Sequence, residues 1–577
     1  MPASHPKPEL RPVPGGMLAH RVGQRARRAL GALTCVAACI AACSEEPRDE
    51  QNPSNALPAA GDSTGSQGNP PTVNGPGAAD PGAMVPGGDP TPIDAGRVWP
   101  SCGDGFDDED GGVSPYADSC AIDERFGVFA NPNVDPEAFA DGSREHPFAT
   151  LELAVATAVN AGKNVFACEG IYREPLRIGT ALCDGLRVYG GLSCTTFAIE
   201  SESARSHVLA TGPGAALIVA DTRDVVIERF ELEHGPGATP EPGTSYVGAF
   251  IQNARRVVLR DVLLHAHDGE RGKDGAPPES AAAGNGMMGS DGGDACSAQP
   301  NRGGAALSNT GCRDQPAAAS GSGGDGGNGT GNGGNGTWFG APNIPGESTA
   351  DWSCAVGQGA PPVAGPGFAG PPGRGGRGFG ALLGTGFVGF GGQDGIDGGP
   401  GQGGGGGGGA KAPASCASGT AVGAAGGSGG TGGCGGQGGD AGGAGGTSIG
   451  LLMSASTVRF EGGEIRYGNG GDGGKGALGQ KGGQGAPGGR GGNGVSGSRD
   501  ACDGAAGGIG GDGGDGGGGN GGHAFGVLHA GDAPKLVAVA GEPSAAMRHG
   551  GAGGVGPVAD MMDAVGTPGQ SSFVAKF

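Results

Sequence analysis

The chain has 577 residues, of which 138 are Gly and 43 are Pro; only 5% are aromatic, and the formal net charge is −22. Too little large apolar surface is present to build several ordinary compact cores. The negative charge repels phosphate backbones and anionic headgroups, which argues against nucleic acid and non-specific lipid binding as modes of action.

Residues 1–42 read as an export segment. Arg21, Arg25, Arg27 and Arg28 form a basic region, followed by the apolar stretch Ala29–Ala42. That stretch is too short to span a bilayer, and its basic, apolar, small-residue order is that of a signal peptide. It ends Ile40-Ala41-Ala42-Cys43, which resembles a bacterial lipobox. The resemblance implies cleavage before Cys43, lipidation of its thiol, and a membrane partner reached through the lipid anchor. Ser44 in place of Asp favours an outer-membrane or cell-surface destination. Residues 43–97 are rich in Pro, Gly, Asn and Ser and read as a flexible tether.

Residues 98–125 form an acidic, cysteine-bearing loop. Cys102 and Cys120 are a local disulfide candidate and enclose Asp104, Asp107, Asp108 and Asp110. The run looks like a calcium loop but lacks the spacing and distal Glu of an EF-hand. Calcium is thus the one cofactor the sequence offers; a solvated acidic turn is the alternative.

From Phe126 the pattern changes. Asp141–Thr150 precedes an amphipathic stretch whose Leu151, Ala154, Val155, Ala158 and Val159 share one helical face, stopped by Gly162. Val165–Cys168 then reads as a strand. Ala215–Gly235, Tyr246–Gly269 and Ser448–Gly470 each repeat one layout, a short apolar run, a polar corner, a second apolar run and a glycine turn, and His523–Gly541 is a weaker copy. Two short strands per repeat point to stacked coils. Leu217, Val219, Val225, Ile227, Phe230, Leu232, Phe250, Val257, Leu259, Leu263, Leu451, Met453, Val458, Phe460 and Ile465 are expected to face inward.

The helix followed by GKNVFACEGIYREPL resembles the start of pectin-lyase-like right-handed parallel β-helices. The resemblance implies an all-β solenoid with an N-terminal helix capping its open end. Coils are expected over 126–269, 447–467 and 523–577, the last running into a C-terminal tail. Glycine-rich insertions fill 270–446 and 468–522. Gly427–Gly445, Gly470–Gly497 and Gly504–Gly522 place Gly at every third position, the period of a left-handed extended helix. With Pro487 alone in the longest block, a collagen trimer is not expected. A polyglycine-II-like bundle or a disordered glycine brush remain open. The blocks on either side of Asn493–Ala506 look like a hairpin of extended helices. These features resemble a myxobacterial-type glycine-rich surface lipoprotein.

Fourteen cysteines occur without a C-x-x-C pair, so zinc is not expected and disulfides are. Cys296–Cys312 is a second local candidate, and Cys168, Cys183 and Cys194 contain a third pair. His234, His265 and His267 lie at the ends of neighbouring coils, where they could converge as a metal or acid–base cluster or serve as turn-facing polar groups. No nucleophile elbow, metalloprotease motif or Walker loop is present. The expectation is a non-enzymatic, lipid-anchored surface protein with a structural, adhesive or matrix-binding role, in contact with polysaccharide or matrix. The alternative is a β-helix polysaccharide lyase or hydrolase using Arg229, Arg260 and Asp261.

Overall fold

In the computed structural model, residues 114–577 are described, apart from 117–118, 298–299, 313–318, 329–330, 339, 385, 418–419, 541–547 and 558–561. The described residues are strand-rich, with one α-helix, α1 (Leu151–Ala161). The strands, in chain order, are β1 (Gly127–Ala130), β2 (Asn164–Cys168), β3 (Gly170–Tyr172), β4 (Leu176–Gly179), β5 (Arg187–Leu192), β6 (Ser206–Thr211), β7 (Leu217–Ala220), β8 (Val226–Glu228), β9 (Phe230–Gly235), β10 (Tyr246–Gln252) and β11 (Val257–Ala266). After these come β12 (Gly336–Trp338), β13 (Ala341–Ile344), β14 (Ala381–Leu383), β15 (Gly386–Val388), β16 (Ser448–Ser454), β17 (Val458–Tyr467), β18 (Ala524–Ala530), β19 (Lys535–Val537) and β20 (Ser571–Lys576).

Two parallel sheets organise them. One contains β1, β2, β5, β8, β11, β9, β6 and β3, with β17 and β19 joined beyond β11. The other runs β20-β18-β16-β10-β7-β4. The pairing joins residues about two hundred positions apart: Val257 opposite Val458, Leu259 opposite Phe460, and Ala249 opposite Leu451. The repeat copies are therefore hydrogen-bonded neighbours. Side chains from both sheets meet in one apolar interior, including Leu217, Val219, Ile227, Phe230, Leu232, Ile251, Leu259, Leu451, Met453 and Phe460.

Alternation along the strands sets what faces that interior, and bends reset it. Arg229, Asp261, Gly462 and Gly463 take left-handed φ of 57°, 51°, 64° and 83°. Each bend shifts the inward set by one residue. In β11, Val257 and Leu259 point in before Asp261, and Val262 and Leu264 point in after it. Leu263, expected inside, therefore lies on the outer face and is only half-buried. Phe250 is a second correction. Ala249 and Ile251 occupy the interior, so the residue between them faces the opposite side. Phe250 joins Val247, Phe387, Ile449, Leu452, Phe525 and Leu528 in a separate apolar layer, and it does not share a compartment with Phe460. The hairpin β14–β15 supplies Phe387 and Leu382 to that layer, so a glycine-rich excursion covers the outer face of the sheet.

Helix α1 forms where the spacing of its apolar residues predicts. Thr150 Oγ1 accepts from Leu153 N at 3.3 Å at its start, and Gly162 ends it with φ 66°. Leu151, Ala154, Val155 and Ala158 pack into the interior beside Val128, Val165, Leu176 and Ile178. No described helix is long and apolar enough to cross a membrane.

The three glycine-triplet blocks are bonded to one another chiefly through backbone. Gly430, Gly433, Gly436, Gly439 and Gly442 donate to the carbonyls of Ala505, Gly508, Gly511, Gly514 and Gly517 at 2.9–3.0 Å, running in the same direction. Gly507, Gly510, Gly513, Gly516 and Gly519 donate to Ala486, Gly483, Gln480, Ala477 and Gly474 at 2.8–2.9 Å, running in opposite directions. The third side closes as Gly483, Ala486 and Gly489 donate to Cys434, Thr431 and Ser428. A period of three brings one N–H per turn to the same neighbour. The close approach requires glycine, since a Cβ on Gly510 would overlap the Cys434 carbonyl oxygen.

Three disulfides tie the excursions together, joining Cys296 to Cys416, Cys312 to Cys434 and Cys354 to Cys502, with Cα separations of 5.1–5.5 Å. The expected local Cys296–Cys312 pair is thus wrong. Extended segments lie side by side, so the nearest thiol in space belongs to a neighbouring segment 120 or more residues away. Cys168 pairs with Cys194, and the buried Cys183 thiol donates to the Gly179 carbonyl at 2.8 Å. Cys120 is disulfide-bonded; its candidate partner Cys102 lies outside the described residues.

Candidate functional site

Cys43 and the candidate calcium ligands Asp104, Asp107, Asp108 and Asp110 also lie outside the described residues. The groups that the fold assembles are on the outer face of the larger sheet. In β9, Phe230, Leu232 and His234 point inward, so Glu231 and Glu233 point out. In β11, inward Val262, Leu264 and Ala266 leave Leu263, His265 and the following His267 on the outside. Register then aligns the columns: His207 of β6 lies opposite Glu231, His265 opposite Glu233, and Arg466 of β17 opposite His265.

Glu233 is the hub. Its Oε2 lies 2.8 Å from His207 Nε2, and its Oε1 lies 2.7 Å from His267 Nε2 and 3.8 Å from His265 Nδ1. The His265 and His267 rings stack with centroids 4.6 Å apart. Burial pushes the Glu233 carboxyl upward, but the three imidazoles outweigh it and hold the pKa below the usual range. Burial, with the neighbouring His267, lowers the pKa of His265. A cavity of about 320 Å³ opens beside this group, lined by His265, His267, Asp268, Glu270, Arg466 and Arg548 among others.

His234 does not join them. It is 1% exposed and points into the interior, receiving the Val247 N–H at Nδ1 (2.8 Å), with Nε2 2.8 Å from the Gly212 carbonyl. A ring placed this way is neutral with its proton on Nε2, and burial lowers its pKa. Of the three histidines singled out in the sequence, His265 and His267 converge and His234 is structural. His207 and Glu233 were missed. The alternation in Phe230–His234 was the available signal for Glu233; the β6–β9 register that brings in His207 is visible only in three dimensions.

A second polar cluster surrounds Glu228, which is 5% exposed. Arg260 bridges Glu461 at 3.1 Å and Glu228 at 3.5 Å. Ser114 donates to the Glu228 carboxylate at 3.3 Å. Burial raises the Glu228 pKa to about 7, against the lowering pull of Arg260, Ser114 and Arg229. Arg205 pairs with Asp261, and Arg229 lies 4.0 Å above the Tyr116 ring. The three residues named for an enzymatic alternative, Arg229, Arg260 and Asp261, are therefore all engaged in this network.

No protein-family model, curated protein or solved structure matches the chain.

Proposed function

We propose that the protein is a non-enzymatic, lipid-anchored surface scaffold. In this reading the stacked copies form a right-handed parallel β-helix, and the glycine-rich excursions form a polyglycine-II-like bundle against its side. The rigid assembly displays a wide polar face to matrix or polysaccharide, held off the membrane by a tether from lipidated Cys43. The observation that carries the reading is the backbone bonding of the triplet blocks. A chain that devotes so much of its length to a backbone-bonded lattice is suited to display rather than turnover. The engagement of Arg229, Arg260 and Asp261 in ion pairs or ring contacts supports the same side.

Two measurements test it. Cys43→Ser should release the protein from the membrane fraction, and continued partitioning with membranes would remove the anchor from the account. Incubated with a panel of neutral and acidic polysaccharides, the purified protein should retain one or more of them without cleaving any. Product release that Arg260→Ala abolishes would establish the enzymatic alternative.

A further inference from the structure

Neighbouring strands β9 and β11, with the residue that follows β11, place imidazole and carboxylate groups on one outward face. The donor atoms of Glu233, His265 and His267 all lie within 4.8 Å of one another. We propose that these three residues bind a divalent transition ion of the zinc type. This inference is independent of the scaffold reading above.

The chemistry of the donors selects the ion. Two imidazole nitrogens and one carboxylate oxygen suit zinc, cobalt, nickel or copper, whereas calcium and magnesium prefer all-oxygen shells. At metal–ligand distances near 2.0–2.1 Å, tetrahedral ligands sit about 3.3 Å apart. The observed 2.7 Å and 3.8 Å from Glu233 Oε1 to the two rings straddle that value. The donor atoms lie within 4.8 Å of one another, so binding would draw them together by side-chain rotation.

Glu233 stands on β9 and His265 on β11, and His267 directly follows β11 with its N–H bonded to the His234 carbonyl at 3.1 Å, which limits the cost of organising the site. His265 faces Glu233 directly in register, and His267 follows two residues on, so alternation fixes all three on one side. His207 engages the other carboxylate oxygen, Oε2, leaving Oε1 directed at the two rings. That is the role of an outer-shell partner that orients a ligand. The charge around the site also favours a cation: Glu231, Glu464, Asp268 and Glu270 outnumber Arg466 and Arg548. The cavity beside His265 and His267 leaves room for water in a fourth position.

The test uses the full chain, prepared without a polyhistidine tag and stripped with chelator, titrated with zinc by calorimetry and with cobalt by visible absorption. One saturable ion per chain is expected, with a cobalt spectrum typical of low coordination number and competed away by zinc. Glu233→Gln and His267→Gln should each weaken binding by at least about tenfold, the loss typical even of outer-shell changes. His207→Gln should weaken it less, and His146→Gln, at an exposed position outside the cluster and the cavity lining, should leave it unchanged. The cluster is part-buried and its pairs contribute to stability, so far-ultraviolet circular dichroism of each variant in chelator, expected to match the parent, separates loss of ligand from loss of fold. Absence of stoichiometric binding, or binding unaffected by Glu233→Gln and His267→Gln, would overturn the proposal and leave the cluster as an ion pair only.

Discussion

At the scale of single residues, Glu228 makes a sharp prediction. Its folded pKa, near 7, lies above the ordinary glutamate value of 4.5. The folded protein therefore binds more protons than the unfolded chain between those values, so stability contributed by this group is complete below pH 4.5 and lost as pH rises through 7. Glu228→Gln should flatten that decline and be neutral or stabilising at pH 8. The ceiling on the effect is about 3 kcal/mol, from 1.36 kcal/mol per pKa unit. Thermal melts of both proteins at pH 5 and pH 8 read it directly; an Arg260 pairing strong enough to make the glutamine variant much less stable at pH 8 would contradict it. Glycine gives the second residue-scale prediction. Gly510→Ala drives a methyl group into the Cys434 carbonyl and should cost about 2 kcal/mol or more, in the range for overpacking. Gly384→Ala, where no atom lies within 4 Å of the new carbon, is the matched control and should melt like the parent.

At the scale of elements, disulfides and aspartates hold the glycine segments in place. Cys312–Cys434 and Cys354–Cys502 close intervals of 122 and 148 residues. In the chain-entropy picture, loops of that size are stabilised by about 4–5 kcal/mol. Reduction should therefore expose the 270–446 region to protease before the parallel sheets yield, as judged by fragment masses. The aspartates of the glycine-rich segments have a role that composition alone did not show. They accept backbone N–H groups from the next segment: Asp274 from Lys475, Asp291 from Arg490, Asp512 from Gly482 and Asp515 from Gly479, at 2.7–2.9 Å. The Lys475 N–H bond lowers the Asp274 pKa, and Lys481, with the Gly482 N–H, lowers that of Asp512. A depressed carboxyl stabilises above its unfolded pKa and loses that contribution as pH falls through the folded value. Acid below about pH 4, the ordinary aspartate range, should thus loosen the glycine segments. Asp512→Ala should blunt the acid response, and a melt unchanged from pH 6 to pH 2 would exclude these caps as stabilisers.

At the scale of the whole molecule, the copies of the two-strand layout were legible because apolar runs and polar corners recur with nearly constant spacing. Helix α1 and its Gly162 stop were legible for the same reason, and so was the antiparallel path of the blocks flanking Asn493–Ala506. What escaped depends on single-residue shifts and on the third dimension. The left-handed bend at Asp261 reverses which of Leu263 and Leu264 is inside, and an unbroken apolar run such as Gly248–Ile251 carries no alternation to place Phe250. Cysteine pairing follows lateral packing of extended segments, which has no trace in local spacing. The Glu233 cluster needed β6, β9 and β11 in register before its members could be seen as neighbours.

The scaffold reading and the predictions for the glycine segments rest on the triplet blocks being one bonded lattice with the parallel sheets. Amide hydrogen exchange, followed by mass spectrometry on peptides from 427–445, 470–497 and 504–522, measures that directly. The account predicts slow exchange in all three, comparable with the Val257–Ala266 strand. Complete exchange of the blocks at the first time point, with that strand still protected, would contradict it.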